Sequence, residues 1–126
     1  MLETVAREKV ATLDHEKLDV YHVAVEFVIV ADEIVKHLPR GRGYLSDQLQ
    51  RAALSIPLNI AEGAGEYSVD EKIRFYRMAK RSATECSAIL NVCQRLKLVD
   101  EIRYVQGREL LIRIVSMLIK MALKSH

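Results

Sequence analysis

The feature that most constrains this chain is a proline inside a stretch that otherwise has the pattern of a helix. Pro57 lies within residues 51–63, which contain no other helix-breaking residue before the final Gly63. Proline has no backbone N–H, and its ring presses on the carbonyl four residues earlier, at a cost of about 3 kcal/mol in an ordinary helix. The sequence therefore predicts a proline-kinked helix in which the packing of the remaining residues outweighs that cost.

The same stretch has two apolar faces when its residues are placed at 100° intervals around a helix. The wider one is the predicted core face and holds Leu49, Ala52, Ala53, Ile56 and Ile60. The narrower stripe holds Leu54, Leu58 and Ala61. Single exposed leucines are common in monomers. Because a helix in a monomeric bundle needs only one apolar face, we nevertheless expect the second stripe to form an oligomer interface.

A polar stripe separates the two apolar faces and contains Gln48, Arg51, Ser55, Asn59 and Glu62. One interpretation is structural, with Ser55 or Asn59 bonding backbone groups freed by Pro57 and the charged residues pairing with neighbouring helices. The other is a ligand site at the kink. Since the stripe lies between two faces that both have the pattern of buried surfaces, the structural interpretation is favoured.

The residues around Pro57 resemble the signature of the 23S ribosomal RNA intervening-sequence protein family, whose members are also called four-helix bundle proteins. The likeness is strongest over Ser-Ile-Pro-Leu-Asn-Ile-Ala-Glu-Gly at 55–63 and extends from Leu18 to the C-terminus. Arg81 departs from the family pattern, in which glycine is expected at that position. Residues of this sequence that match the structural motif are Arg51, Ser55, Pro57, Asn59, Glu62 and Gly63.

This resemblance implies an antiparallel up-down four-helix bundle that assembles into a homo-oligomeric ring, often of five subunits. Genes of the family were noticed inside insertions of ribosomal RNA genes. Distant relatives are accessory proteins of retroelements and bind nucleic acid. The family has no known catalytic residues and no established biochemical role, so the resemblance specifies the fold more closely than the function.

Length and composition also favour one helical domain, because 126 residues that are half apolar can form a single core. Four helices are predicted, with N-terminal caps at Asp14, Ser46, Ser68 and Asp100. Ser68 and Glu71 have the spacing of a capping box. We therefore divide the chain into an N-terminal extension at residues 1–13 and a bundle at residues 14–126. The extension contains a possible short helix with a face of Leu2, Val5, Ala6 and Val10.

Apolar periodicity predicts the core face of the other three helices. In the first helix the predicted face is Leu18, Tyr21, Val25, Val28, Ile29 and Asp32, which Ile34 and Val35 extend. In the third it is Phe75, Met78, Ala79, Cys86, Ile89, Leu90 and Cys93. In the fourth it is Leu110, Leu111, Ile114, Val115, Leu118 and Met121.

A basic stripe on the third helix is the main candidate for binding. Its members are Arg74, Arg77, Lys80 and Arg81, to which the loop residues Arg40 and Arg42 could add. The net charge of +2 is too small to indicate nucleic-acid binding by the whole chain. The stripe is either a solvated face paired with Asp70 and Glu85, or a phosphate-binding face that a ring would repeat on every subunit.

Other functional classes find less support in the sequence. His15, Asp19, His22 and Glu26 share one helical face, but Asp19-Val20-Tyr21-His22 is only a weak echo of the Glu-x-x-His motif of a di-iron bundle and has no second copy. We therefore expect no metal and no cofactor. Cys86 and Cys93 are separated by about 10 Å of helical rise, which is too far for a disulfide. They are predicted to be small buried side chains, without a histidine nearby in sequence that could activate them.

The sequence thus predicts a non-enzymatic homo-oligomer. Unpaired cysteines and the absence of a signal-peptide pattern favour the cytoplasm, with no membrane partner. The favoured function is binding of RNA, DNA or a nucleic-acid-associated partner. The alternatives are a structural scaffold for another protein or, with less support, a metal-binding or enzymatic bundle.

Overall fold

The structure is a computed structural model that describes residues 11–125. Within that range a short 3-10 helix at Asp14–Lys17 precedes four α-helices. These are α1 (Asp19–Lys36), α2 (Gly43–Ala64), α3 (Val69–Arg95) and α4 (Glu101–Ser125). The predicted apolar face of Leu2, Val5, Ala6 and Val10 lies outside the described residues.

The helices form a four-helix bundle, as predicted. Each helix packs against the next along the chain, and α4 packs against α1. Short connections join them, at residues 37–42, 65–68 and 96–100. Gln48 of α2 bonds Glu85 of α3, whereas Gly63 of α2 bonds Lys72 of α3, so these two helices run in opposite directions. No helix within residues 11–125 is both long enough and apolar enough to cross a membrane.

The predicted core face of α2 is confirmed. All five members are buried, namely Leu49, Ala52, Ala53, Ile56 and Ile60. Pro57 lies inside α2 and is buried as well, and the helix continues beyond it to Ala64. Apolar packing on both sides of Pro57 thus maintains the helix across the missing backbone hydrogen bond.

Side chains of the polar stripe bond the backbone in the turns next to Pro57. The Ser55 hydroxyl donates to the carbonyl of Ala52 at 3.0 Å. The Asn59 amide donates to the carbonyl of Ser55 at 2.8 Å. These bonds agree with a structural role for both side chains, although neither bonded carbonyl is that of Ala53, the group that Pro57 leaves without its helical partner.

The predicted core face of α1 is wrong for all members except Ile34. The buried residues of this helix are Val20, Val23, Ala24, Phe27, Val30, Ala31 and Ile34. Apolar residues occur almost all round α1, so periodicity by itself does not determine which side faces inward. Ala24 and Ala31 allow close approach beside the large ring of Phe27. Leu18, Tyr21, Val28 and Val35 pack at the edge of the core, and Ile29 is exposed.

The core faces of α3 and α4 are largely confirmed. In α3 the exceptions are Phe75, which is half-buried, and Met78, which is exposed. In α4 the exceptions are Val115 and Met121, which are half-buried against the core. Cys86 and Cys93 are both buried and unpaired, as predicted.

Two of the four predicted helix starts are wrong. Asp14 begins the 3-10 helix instead of capping α1, because Leu18 is extended and interrupts the helical path (φ −94°, ψ 123°). Helix α2 begins at Gly43, so Ser46 lies inside its first turns.

The other two helix starts are confirmed. The Ser68 hydroxyl accepts from the backbone N–H of Glu71 at 3.4 Å, and a carboxylate oxygen of Asp100 accepts from the N–H of Arg103 at 2.8 Å. The bond from this N–H lowers the pKa of Asp100. The Glu71 carboxylate binds Arg74.

Gly63 is the contact point between the end of α2 and the start of α3. A Cβ atom at this position would lie 2.7 Å from Cε1 of Tyr76 and 3.1 Å from Cβ of Phe75. The Lys72 ammonium donates to the carbonyls of Gly63 and Ala64, at 3.0 and 3.2 Å, where α2 ends. The glycine of the signature is therefore required by close helix packing.

We expect Gly63→Ala to destabilise the bundle by about 1–3 kcal/mol, because the added methyl group overpacks against the buried Tyr76 ring. Thermal unfolding followed by circular dichroism measures the change. The matched control is Gly43→Ala, where a Cβ meets no atom within 4 Å. This control should match the wild type or gain up to about 1 kcal/mol. Equal melting temperatures for Gly63→Ala and wild type would contradict the packing argument.

Candidate nucleic-acid interface

Three members of the predicted basic stripe of α3, Arg77, Lys80 and Arg81, line a surface groove between α2 and α3. The groove has a volume of about 940 Å³. Its residues on α3 are Arg77, Met78, Lys80, Arg81, Ser82, Thr84 and Glu85. Ser55 and Asn59 line it from α2. The basic stripe and the polar stripe, which are far apart in sequence, thus meet at one site.

Three cations of this groove have no acidic partner among the residues that the structure describes. Across residues 11–125, no carboxylate lies within ion-pair distance of Arg77, Lys80 or Arg81. The predicted pairing of Asp70 and Glu85 with the stripe does not form. Glu85 lines the groove and accepts a hydrogen bond from the Gln48 side-chain amide instead. The three positive charges are exposed and available to an anionic ligand.

Arg74 differs from the other members of the stripe. Its Nη2 and Nε atoms lie 2.9 and 3.1 Å from one carboxylate oxygen of Glu71, and its guanidinium lies 4.5 Å from the centre of the Phe75 ring. The hydrogen bond and the charge of Glu71 raise the pKa of Arg74. Arg74 does not line the groove, and its charge is partly offset.

Arg40 and Arg42 lie outside the groove, at the connection between α1 and α2. The Arg42 guanidinium donates to the hydroxyl of Tyr44 at 2.8 Å. The structure therefore separates the predicted basic residues into a groove group, the paired Arg74 and a loop pair.

Hydroxyl groups connect the two walls of the groove. Ser55 of α2 is hydrogen-bonded to Ser82 of α3, and Thr84 donates to the carbonyl of Lys80 at 3.0 Å. Ser82 and Thr84 were not predicted as site residues. The only feature of the sequence that points to them is their position next to the arginines of α3. The hydrogen bond between Ser55 and Ser82 could not be predicted, because it depends on the register between α2 and α3.

Leu54 and Leu58 are exposed at 51% and 54%, and Ala61 is half-buried. They lie on a flank of α2 distinct from the groove.

A flank of α1 that is also apolar lies next to α2. On one side of α1, Glu26 and Ile29 border a hollow with α4. The opposite side of α1 therefore borders α2. That flank carries the half-buried Tyr21, Val25 and Val28. Helices α1 and α2 together therefore present apolar residues to solvent.

A further exposed apolar stripe lies on α4 and was not predicted. Its residues are Ile102, Val105, Ile112, Ile119 and Leu123. They lie on the side of α4 away from the core residues Leu110, Ile114 and Leu118.

Three of the four candidate metal ligands border one hollow, and His15 does not. The His15 ring packs edge-on against Tyr21 at 4.6 Å, and Nε2 of His22 lies 2.8 Å from the carbonyl of Glu16. Asp19, His22 and Glu26 line a hollow with Arg113. Among residues 11–125, no group of three histidine, cysteine or acidic side chains is placed to hold a metal ion.

Cys86, Cys93 and Ser55 carry the side chains that could act as nucleophiles, and within residues 11–125 no hydrogen bond joins any of them to an activating base. Burial raises the pKa of the Cys86 thiol to about 12, and burial also raises the pKa of Cys93. The Ser55 hydroxyl contacts the Ala52 carbonyl and Ser82, neither of which is a base.

We expect both cysteines to resist alkylation near neutral pH in the folded protein. Burial blocks access, and a raised pKa leaves almost no thiolate, whereas an ordinary thiol has a pKa of about 8.5. Intact mass after iodoacetamide treatment should show an unmodified native chain and two modifications in concentrated urea. Rapid modification of the native protein would contradict this prediction.

Comparison with known proteins agrees with this architecture. The sequence model of the family described as 23S rRNA-intervening sequence protein matches residues 16–120. A solved structure from Bacteroides thetaiotaomicron VPI-5482, a protein with unknown function from the S23 ribosomal protein family, is similar with a TM-score of 0.76. It is 23% identical, and the alignment covers 82% of this chain and 97% of that chain. No curated protein matches the chain. At this identity the structural likeness shows the fold alone.

Proposed function

Because the chain belongs to the 23S rRNA-intervening sequence protein family, as its match over residues 16–120 establishes, we propose that it is a non-enzymatic bundle that binds nucleic acid, in the first place RNA. The observation that carries the proposal is the groove between α2 and α3, where Arg77, Lys80 and Arg81 have no acidic partner within the described part of the chain. No cofactor is required for this role.

The groove has the chemistry that a phosphodiester backbone needs. Arginine offers a planar fork of donors to phosphate oxygens, and lysine adds a compact positive charge. Ser82 and Asn59 supply neutral polar groups of the kind that also contact phosphate and sugar. Since the net charge is only +2, attraction comes from this local cluster instead of the whole chain.

Assembly is the second part of the proposal. Leu54, Leu58 and Ala61 form the interface of a homo-oligomer, with the ring of five subunits implied by the family resemblance. The half-exposed leucines and the apolar flank of α1 support this interface. Each subunit of a ring presents the same cation cluster, so several weak contacts to one strand act together. The buried, unpaired cysteines agree with a reducing cytoplasm.

A scaffold for another protein is the second candidate function. The observation that favours it is the exposed apolar stripe on α4, in which Ile102 and Leu123 are 81% and 72% exposed. Scattered exposed apolar residues are normal, but several along one helix face are a feature of protein-contact surfaces.

Changing Arg77, Lys80 and Arg81 together to glutamine should weaken RNA binding and flatten its salt dependence. Each lost phosphate contact removes about 0.7 from the slope of log affinity against log salt for a single strand, so the slope should fall by about 2. Fluorescence anisotropy with labelled RNA over a salt series measures both effects. The matched control is Arg74→Gln, which should have a smaller effect because Arg74 is already paired with Glu71. An unchanged slope in the triple variant would show that this face is merely solvated.

Leu54→Glu combined with Leu58→Glu should dissociate the oligomer without loss of helix content, because both side chains are outside the core. Light scattering reports the mass, and circular dichroism reports the helices. RNA affinity should also fall, since the cation clusters are no longer linked. Ile112→Glu with Ile119→Glu on α4 is the matched control and should leave the oligomer intact. A monomeric wild-type protein would refute the proposed assembly.

A further inference from the structure

Tyr44 extends the polar stripe of α2 beyond the groove. At 100° per residue it falls on the same flank of the helix as Gln48, Ser55 and Asn59. Gln48 and Ser55 both bond α3, so this flank is the one that faces α3. Tyr44 is 59% exposed, and its hydroxyl accepts the hydrogen bond from Arg42. One end of the stripe thus carries an exposed aromatic ring beside a guanidinium.

The exposed Tyr44 ring limits which form of nucleic acid can use the whole stripe. In a duplex every base is paired and stacked between its neighbours, so its faces are covered, whereas the bases of a single strand can stack on an aromatic side chain. A duplex could therefore contact the exposed Arg77, Lys80 and Arg81 through its phosphates but could not place a base on the Tyr44 ring. A single strand can make both contacts.

The separation of the cations from the ring indicates the length of the ligand. Ser55 lies opposite the cations, so its distance from Tyr44 along α2 approximates the distance from the cations to the ring. From residue 44 to residue 55 the helix rises by about 16 Å. This equals about five stacked nucleotides at 3.4 Å each. A mononucleotide is too short to contact both the cations and the Tyr44 ring, whereas a strand of this length can contact both. Glu85 lies on the groove wall between the cations and Tyr44, and its carboxylate accepts a hydrogen bond from the Gln48 side-chain amide.

We propose that the groove between α2 and α3, together with Tyr44, binds unpaired nucleic acid, with phosphates at Arg77, Lys80 and Arg81 and a base stacked on the Tyr44 ring. This inference rests on the proposed function, because it specifies the strand form that the same groove takes. Stacking on an aromatic ring tolerates any base, so the site selects single strands without selecting a sequence.

The test compares labelled single-stranded RNA, single-stranded DNA of the same sequence and the corresponding RNA duplex by anisotropy on the full chain. Wild type should bind either single strand about tenfold or more tightly than the duplex. Tyr44→Ala should weaken single-strand binding about five- to 100-fold and leave duplex binding unchanged. Tyr44→Phe keeps the ring and should bind like wild type. A tighter complex with RNA than with DNA would add a contact to the 2′-hydroxyl, and equal binding of both strands supports the inference as well.

Tyr67→Ala is the matched control, because Tyr67 is a fully exposed tyrosine in the connection between α2 and α3 and lies off the stripe. It should bind like wild type, and melting curves verify that each variant folds. If the variant lacking Arg77, Lys80 and Arg81 loses binding while Tyr44→Ala does not, the inference fails and the proposed function stands. Equal binding of single strand and duplex also overturns the inference alone. If wild type binds none of the three nucleic acids, the proposed function fails with it.

Discussion

The close packing of α2 against α3 determines the arrangement of the rest of the molecule. At one end the Tyr76 ring occupies the space that a side chain at position 63 would need. Farther along, the Ser55 and Ser82 hydroxyls bond across the interface. These contacts hold two helices in opposite directions at a defined register, which places the cations of α3 beside the polar stripe of α2. They also bury the core face of α2 on both sides of Pro57, and this burial stabilises the helix where a backbone bond is missing.

Three flanks of helix α2 have different surroundings. One is buried in the core, one faces the groove, and one carries the exposed Leu54 and Leu58. In the proposed assembly this separation matters, because contact through the leucines leaves the groove open to a ligand. A strand could then pass from one subunit to the next. The signature residues Ser55 and Asn59 help to maintain this helix around Pro57, since both side chains are bonded to its own backbone.

The sequence predicts several individual residues of the candidate site but not that these residues lie close together. Arg77 and Arg81 stand out by their helical spacing, and Ser55 and Asn59 by their position in the polar stripe. Their meeting in one groove depends on the register between α2 and α3, which no local pattern contains. The sequence pattern also does not separate Arg74 from the other basic residues, because its position in the stripe is like theirs. Its ion pair with Glu71, three residues earlier, and its position outside the groove distinguish it from Arg77, Lys80 and Arg81.

The sequence by itself determined the helical class, the caps at Ser68 and Asp100, the inward face of α2 and most of the inward faces of α3 and α4. These features depend on local bonds or on a clear division between apolar and polar residues. It did not determine the orientation of α1, because that helix is apolar almost all round and only the fit of Phe27 between its neighbours and the small Ala24 and Ala31 decides which side is buried. The tertiary structure alone decided that orientation and the composition of the groove, since both depend on contacts between residues far apart in the chain.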